Sequence, residues 1–114
     1  MQTADRLRTA SKAVKLGDLL SLEYGTGLPE SKREPGTYPV YGSNGIVGYH
    51  KEPIVKGPGI VIGRNGSIGE VTWSNSDFWP IDTTYYVALK KEDISLKWLY
   101  YLLLSLFRKG ITKY

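Results

Sequence analysis

The sequence predicts a mixed α/β fold of the α+β class. A twisted, mostly antiparallel β region with Gly-rich hairpins lies between a short N-terminal helix and an apolar C-terminal helix. Three observations predict it. Eleven of the 13 glycines fall between Gly25 and Gly69, and all six prolines between Pro29 and Pro80, so the middle of the chain is made of strands and turns. Residues 42–48 and 63–69 both fit G-x-N-G-x-[IV]-G, and Asn-Gly between strand formers is a strong hairpin signal. The stretch from Trp98 to Phe107 has no glycine or proline and is rich in leucine, which reads as helix.

The elements follow in order. Residues 1–13 read as a basic N-terminal arm, and residues 14–114 as one domain. In KLGDLLSLEYG, Leu16, Leu19 and Leu20 have helical spacing and Gly25 ends the pattern, which predicts one or two helical turns. Pro39-Val40-Tyr41 leads into the first Asn-Gly turn, centred on Asn44 and Gly45, and Ile46-Val47 leads out. Ile60-Val61-Ile62 leads into the second turn, and Ile68 to Trp73 leads out. Two units are too few for a solenoid, so both hairpins are expected in one sheet. Ser74 to Asp77 turns into a second β-rich run, Thr83 to Leu89, and Pro80 excludes a central-strand position for its own segment. Asp93 or Ser95 caps the last helix, Arg108 and Lys109 sit at its negative end, and Gly110 stands at its C′ position. Leu99, Leu102, Leu103 and Leu106 form one apolar face, with Trp98, Tyr101 and Leu104 on other sides. A helix apolar nearly all round is buried on more than one side, so residues 95–109 are expected to pack on a further surface, self-association included.

Composition narrows the function. The 114 residues make one small domain with a single modest core, 41% hydrophobic and 23% charged. The absence of cysteine excludes a disulfide scaffold, a thiol nucleophile and a cysteine zinc site, and His50 is the only histidine, which leaves a zinc site short of ligands and a triad with one base. Net charge is +4, most of it in residues 1–15, where Arg6, Arg8, Lys12 and Lys15 face only Asp5. No apolar leader follows the N-terminal charges, and no run approaches the ~20 residues that span a bilayer, so the chain reads as soluble and cytoplasmic.

Catalytic patterns are thin. There is no G-x-x-x-x-G-K loop, and Gly57-x-Gly59 lacks the third glycine of a dinucleotide fingerprint, where Ile62 stands. Glu30-Ser31-Lys32 matches half of a nuclease motif with Asp18 upstream, a pair common in any charged sequence. Asp77 and Asp82 read as turn caps, and His50 as a surface residue. No metal or cofactor is implied.

Polar side chains on the hairpins are more informative. Ser43, Asn44, Arg64, Asn65 and Ser67 stand at the two tips. Arginine pairs with guanine, asparagine with adenine, and serine with either. Turn geometry alone accounts for Asn44 and Asn65, but it does not require an arginine before Asn-Gly. Lys32 and Arg33 in the polar loop 26–38, and Lys51 and Lys56 between the hairpins, suit phosphate oxygens or plain solvation. Tyr38, Tyr41, Tyr49, Trp73, Phe78 and Trp79 serve as core, or as stacking platforms where exposed in a row.

The order of motifs resembles one family. KLGDLL, a basic Pro-containing loop, YPVYGSNGIVGY, GIVIGRNGSIGEV and FWPIDTTYYV are together similar to a target-recognition domain of the specificity subunit of type I restriction-modification systems. The resemblance covers roughly Val14 to Lys109, and GRNGSIG followed by FWPIDTTYYV is its most specific part. It implies a mixed α/β domain without catalysis or cofactor, which reads one half of a bipartite site in double-stranded DNA. It implies partners too: modification (methyltransferase) subunits that methylate adenine with S-adenosylmethionine, and a restriction subunit that cleaves. A second recognition domain and a long spacer helix are not in this sequence, which therefore resembles the truncated front portion of such a subunit. The alternative is a protein-interaction fragment that docks on a methyltransferase or restriction partner without reading DNA.

Overall fold

The computed structural model describes residues 16–64 and 70–108. Helix α1 (Leu16–Leu19) runs directly into β1 (Leu20–Tyr24), and a 3-10 turn (Glu30–Lys32) follows. Strands β2 (Tyr38–Gly42) and β3 (Gly45–His50) form a hairpin; then come β4 (Gly59–Gly63), β5 (Val71–Ser74), β6 (Trp79–Pro80), β7 (Thr84–Leu89) and helix α2 (Leu96–Arg108). The strands make two sheets, one in the order β1-β7-β4-β5 and one in the order β3-β2-β6. All pairings are antiparallel except β2 with β6. The expected α+β class and antiparallel bias are therefore observed. The arm, Asn65 to Gly69 and the residues after Arg108, including the Gly110 stop, lie outside the described residues.

The expected N-terminal helix is half strand. Only Leu16–Leu19 is helical. From Leu20 the chain pairs with β7, with Leu20 opposite Leu89, Leu22 opposite Val87 and Tyr24 opposite Tyr85. The same segment carries both periods, since Leu20, Leu22 and Tyr24 alternate with Ser21 and Glu23. Pairing satisfies every second backbone group, buries Leu20 in the core and packs the half-buried Leu22 against it, where a longer helix would leave the edge of β7 open.

The two hairpins lie in different sheets, contrary to the one-sheet expectation. β2–β3 belongs to the smaller sheet and β4–β5 to the larger. In the first hairpin Gly42 pairs with Gly45, so the turn residues are Ser43 and Asn44, one position earlier than the Asn-Gly expectation. Gly45 carries the positive φ, +119°, which glycine adopts without strain. Val47 is an extra residue in β3: Val40 pairs with Gly48 and Tyr41 with Ile46, a bulge that bends the strand. Pro80 lies in a two-residue edge strand, where its missing N–H breaks no ladder.

Strand β4 joins the layers. All five of its residues are buried, and period-two alternation sends them to two different partners. Ile60 and Ile62 pack with Leu20, Val71, Leu99 and Leu103, the last two from α2. Val61 packs on the opposite face with Tyr41 and Phe78. Gly59 and Gly63 share that second face. A Cβ at Gly59 would strike the Phe78 ring, and one at Gly63 would strike the Ser43 carbonyl oxygen. The pattern G-I-V-I-G is therefore a strand whose flat ends admit the smaller sheet.

Helix α2 starts at Ser95, whose Oγ accepts from the Trp98 N–H at 3.1 Å. Ser95, not Asp93, is thus the cap. Leu99 and Leu103 are fully buried, while Leu96, Trp98, Tyr100, Leu102, Leu104 and Phe107 are half-buried against the same cluster. One helix covers more of its own apolar circumference than the spacing suggested, because the large side chains on its flanks fold down onto β5 and its neighbours. Tyr101 remains 59% exposed.

Leu99→Ala is expected to destabilise the domain by about 2–5 kcal/mol in urea unfolding followed by circular dichroism. Gly63→Ala should lose about 1–3 kcal/mol by overpacking. Gly17→Ala, with nothing within 4 Å of the added carbon, should match or exceed the parent. Equal stability of the two glycine variants would show that the close approach at position 63 does not constrain the fold.

Candidate nucleic-acid interface

The hairpin ends meet on a short run of backbone, residues 78–84 (FWPIDTT). Its carbonyls serve as a row of acceptors. Phe78 O takes the N–H groups of Ile54 and Val55, Pro80 O takes Thr26 N–H, and Thr84 O takes Gly25 N–H. Ile81 O takes both the N–H and the Oγ1 of Thr84, at 3.0 and 2.7 Å. In the other direction Ile81 N–H donates to Tyr41 O, and Trp79 Nε1 donates to Thr26 O at 2.8 Å. The run thus ties the end of β1, the connection 51–58, β2 and β7 together. This satisfaction of buried backbone is what keeps a nonrepetitive segment in place.

Thr83 O receives one donor from each hairpin: Ser43 Oγ at 2.9 Å and Arg64 N–H at 2.9 Å. The first turn and the end of β4 are therefore pinned to one atom, and Asn44 stands exposed at the tip beside it. Arg64 Nη1 donates to Asp82 O at 2.7 Å. Its guanidinium lies over Tyr24 and Tyr85, 4.8 and 5.3 Å from the ring centroids. Asn65 and Ser67 lie outside the described residues.

The basic loop residues do not form one cluster. Lys32 is exposed at the end of the 3-10 turn. Arg33 is half-buried, with Nε donating to Leu28 O at 3.1 Å and Nη1 to Val47 O at 3.4 Å, so it straps the loop 26–37 to β3. Lys51 pairs with Glu34 at 3.2 Å, both well exposed, a geometry worth little to stability. Lys56 is exposed on the connection between the hairpins.

His50 is not the surface residue its sequence position suggested. It is 6% exposed, its Nδ1 accepts from Glu34 N–H at 2.9 Å, and its ring meets Trp79 edge-on at 5.3 Å. It gives the loop 26–37 a second anchor beside that of Arg33. Of the aromatics considered for stacking, Tyr41 and Phe78 are buried, Tyr38, Trp73 and Trp79 half-buried, and Tyr49 exposed. Tyr24, 65% exposed beside Arg64, was missed, because the helical reading of its segment hid its pairing with Tyr85. Asp77 caps the 51–58 connection, its Oδ1 accepting from Gly57 N–H at 2.8 Å. Among the described residues, no three His, Asp or Glu side chains gather into a metal-holding group.

The sequence from residue 10 to 113 matches the type I restriction modification DNA specificity domain. The chain belongs to that family. As a DNA specificity domain it is 29% identical, over 101 residues, to the EcoprrI specificity subunit of Escherichia coli, an alignment that takes in 83% of this chain and 25% of the relative. Its fold resembles the S subunit of a type I restriction-modification system from M. genitalium, with a TM-score of 0.75 at 20% identity over 84% of this chain and 26% of that one. It also resembles a chain from a structure of complex assembly and conformational transition in the type I R-M system, with a TM-score of 0.66 at 16% identity over 88% of this chain and 28% of that one. The specificity domain thus spans about a quarter of the length of each of these relatives.

The 78–84 run gives the domain a structural test. Thr84 is fully buried, and Thr84→Val keeps its shape but removes the Oγ1 bond to Ile81, an expected loss of about 1 kcal/mol in thermal unfolding. Lys51→Ala should stay within about 0.5 kcal/mol of the parent. A larger loss at Lys51 than at Thr84 would show that the surface pair, and not the run, holds the connection.

Proposed function

We propose that this chain recognises DNA sequence as part of a type I specificity subunit. It reads one half of a bipartite duplex site and directs adenine methylation and cleavage by modification and restriction subunits, and it catalyses neither step. The observation that carries this reading is the meeting of the two Gly-rich hairpin ends at Thr83 O, which holds Asn44 and Arg64 on one end of the domain. A hairpin tip is thin enough to enter a groove, and its side chains have the donor and acceptor sets that base edges require. Family membership supports the same reading, as does the assembly context of the type I R-M structure.

Within it, Asn44 and Arg64 contact base edges, and Asn65 and Ser67 share that role. Lys32, Lys51 and Lys56 contact phosphates. Ser43 and Arg33, each bonded to backbone carbonyls, hold the tip and the loop in shape. The work is cytoplasmic, alongside the DNA; among the described residues no helix is long and apolar enough to cross a membrane.

The test is selection of bound duplexes from a random library by the chain assembled with its modification subunits. A defined half-site should be enriched. Lys32→Ala should weaken binding to enriched and unrelated duplexes alike and lower the slope of log affinity against log salt by ~0.9. Asn44→Ala should relax preference at one base pair and leave that slope unchanged. Enrichment of no sequence would overturn the reading, and an unchanged half-site with Asn44→Ala would remove the hairpin tip from it.

A further inference from the structure

We infer that Tyr24 and Tyr85 are positioning residues for sequence readout: they form a platform that aims the Arg64 guanidinium at a base edge. The inference rests on the DNA-recognition reading above and adds to it the device that sets the arginine's direction.

Three observations carry it. The two tyrosines are directly opposed in the β1–β7 ladder, with ring centroids 5.2 Å apart and planes tilted by 41°. Arg64 continues the alternation of Ile60 and Ile62, on the sheet face that also bears Tyr85, and its guanidinium lies close to both rings at once. Its Nη1 donates to Asp82 O at 2.7 Å. The ring pair and the carbonyl together hold the guanidinium at one place beside the sheet.

An arginine held against its own protein by two cation–π contacts and one hydrogen bond has given up part of its rotamer freedom before any ligand arrives. Stability alone does not call for this arrangement. Tyr24 is 65% exposed, and an exposed cation–π contact contributes little. The arrangement suits a side chain that must present donors in a fixed direction. One bond to Asp82 O uses a single donor of the five that a guanidinium carries, so a pair of adjacent N–H groups stays available for the O6 and N7 acceptors of guanine. Lysine cannot replace it, since an ammonium has neither the plane nor the fork.

The experiment repeats the random-duplex selection on the assembled complex with seven proteins: the parent, Arg64→Ala, Arg64→Lys, Tyr24→Phe, Tyr24→Leu, Tyr85→Phe, and Tyr24→Leu combined with Arg64→Ala. Thermal unfolding is measured on each. Arg64→Ala and Arg64→Lys should both lose discrimination at one G·C pair, by about tenfold or more, with unrelated duplexes bound as before. Tyr24→Leu should lose discrimination at that same pair and no other. Both phenylalanine variants, which keep the rings, should retain it. In the Arg64→Ala background Tyr24→Leu should change nothing further.

Several results would overturn the platform. If Arg64→Ala weakens all duplexes equally, the arginine is a phosphate contact, and the DNA-recognition reading stands without the platform. If Tyr24→Leu leaves the half-site intact, or acts equally with and without Arg64, the tyrosines do not aim the arginine. If the parent enriches no sequence, the recognition reading fails and the platform falls with it.

Discussion

Strand β4, one of the two inner strands of the larger sheet, must be covered on both faces by different partners, and its five residues meet that demand with unequal sides. Ile60 and Ile62 project toward helix α2, where Leu99 and Leu103 close over them. The other face carries only Val61 between two glycines, so the Phe78 ring and the Ser43 carbonyl reach the backbone itself. Everything else in the domain depends on this asymmetry. A side chain at Gly59 or Gly63 would push the smaller sheet away, and the first hairpin would no longer touch the run that anchors it.

From that contact follows the role of the 78–84 run. It is neither helix nor a full strand, yet its carbonyls collect donors from β1, from the connection 51–58 and from the ends of both hairpins. Such a segment is rigid for the same reason a ladder is rigid: an unpaired buried carbonyl is expensive. The motif that most resembled the family in sequence is thus the part that binds the scaffold together. Asn44 and Arg64, proposed to read DNA, stand at the hairpin ends it holds, where a substitution changes what is presented without disturbing the frame.

The charge pattern fits the same division. The formal excess of +4 lies mostly in the first fifteen residues, and the hairpin body has nearly balanced charge. Arg33 is committed to the carbonyls of Leu28 and Val47, and Lys51 faces Glu34. A domain so arranged contributes little of the unspecific phosphate attraction that dominates many DNA complexes. In the proposed reading, its contribution to recognition rests on direction, through Asn44 and Arg64, more than on net charge.

By itself the sequence determined what local chemistry can determine. Glycine and proline crowding confined the β region to the middle, Asp93 or Ser95 marked the start of α2, the first G-x-N-G unit marked the β2–β3 hairpin, and Pro80 marked an edge. The order of motifs pointed to the family. Tertiary structure decided the rest, in each case through a partner distant along the chain. Leu20 to Tyr24 carries both helical and strand spacing, and only the open edge of β7 selects the strand. The two hairpins have nearly the same local pattern, and only the burial of both faces of β4 separates them into two sheets. His50 follows a strand like any surface residue, and it is buried because the loop 26–37 folds over it and gives its Nδ1 the Glu34 N–H. Arg64 reads as one arginine before a turn. Its place over two rings exists only because β1 and β7 pair in the register that sets Tyr24 beside Tyr85. Local propensity is a matter of neighbours in sequence, whereas register, sheet membership and the aim of a side chain are set by contacts between segments forty or sixty residues apart.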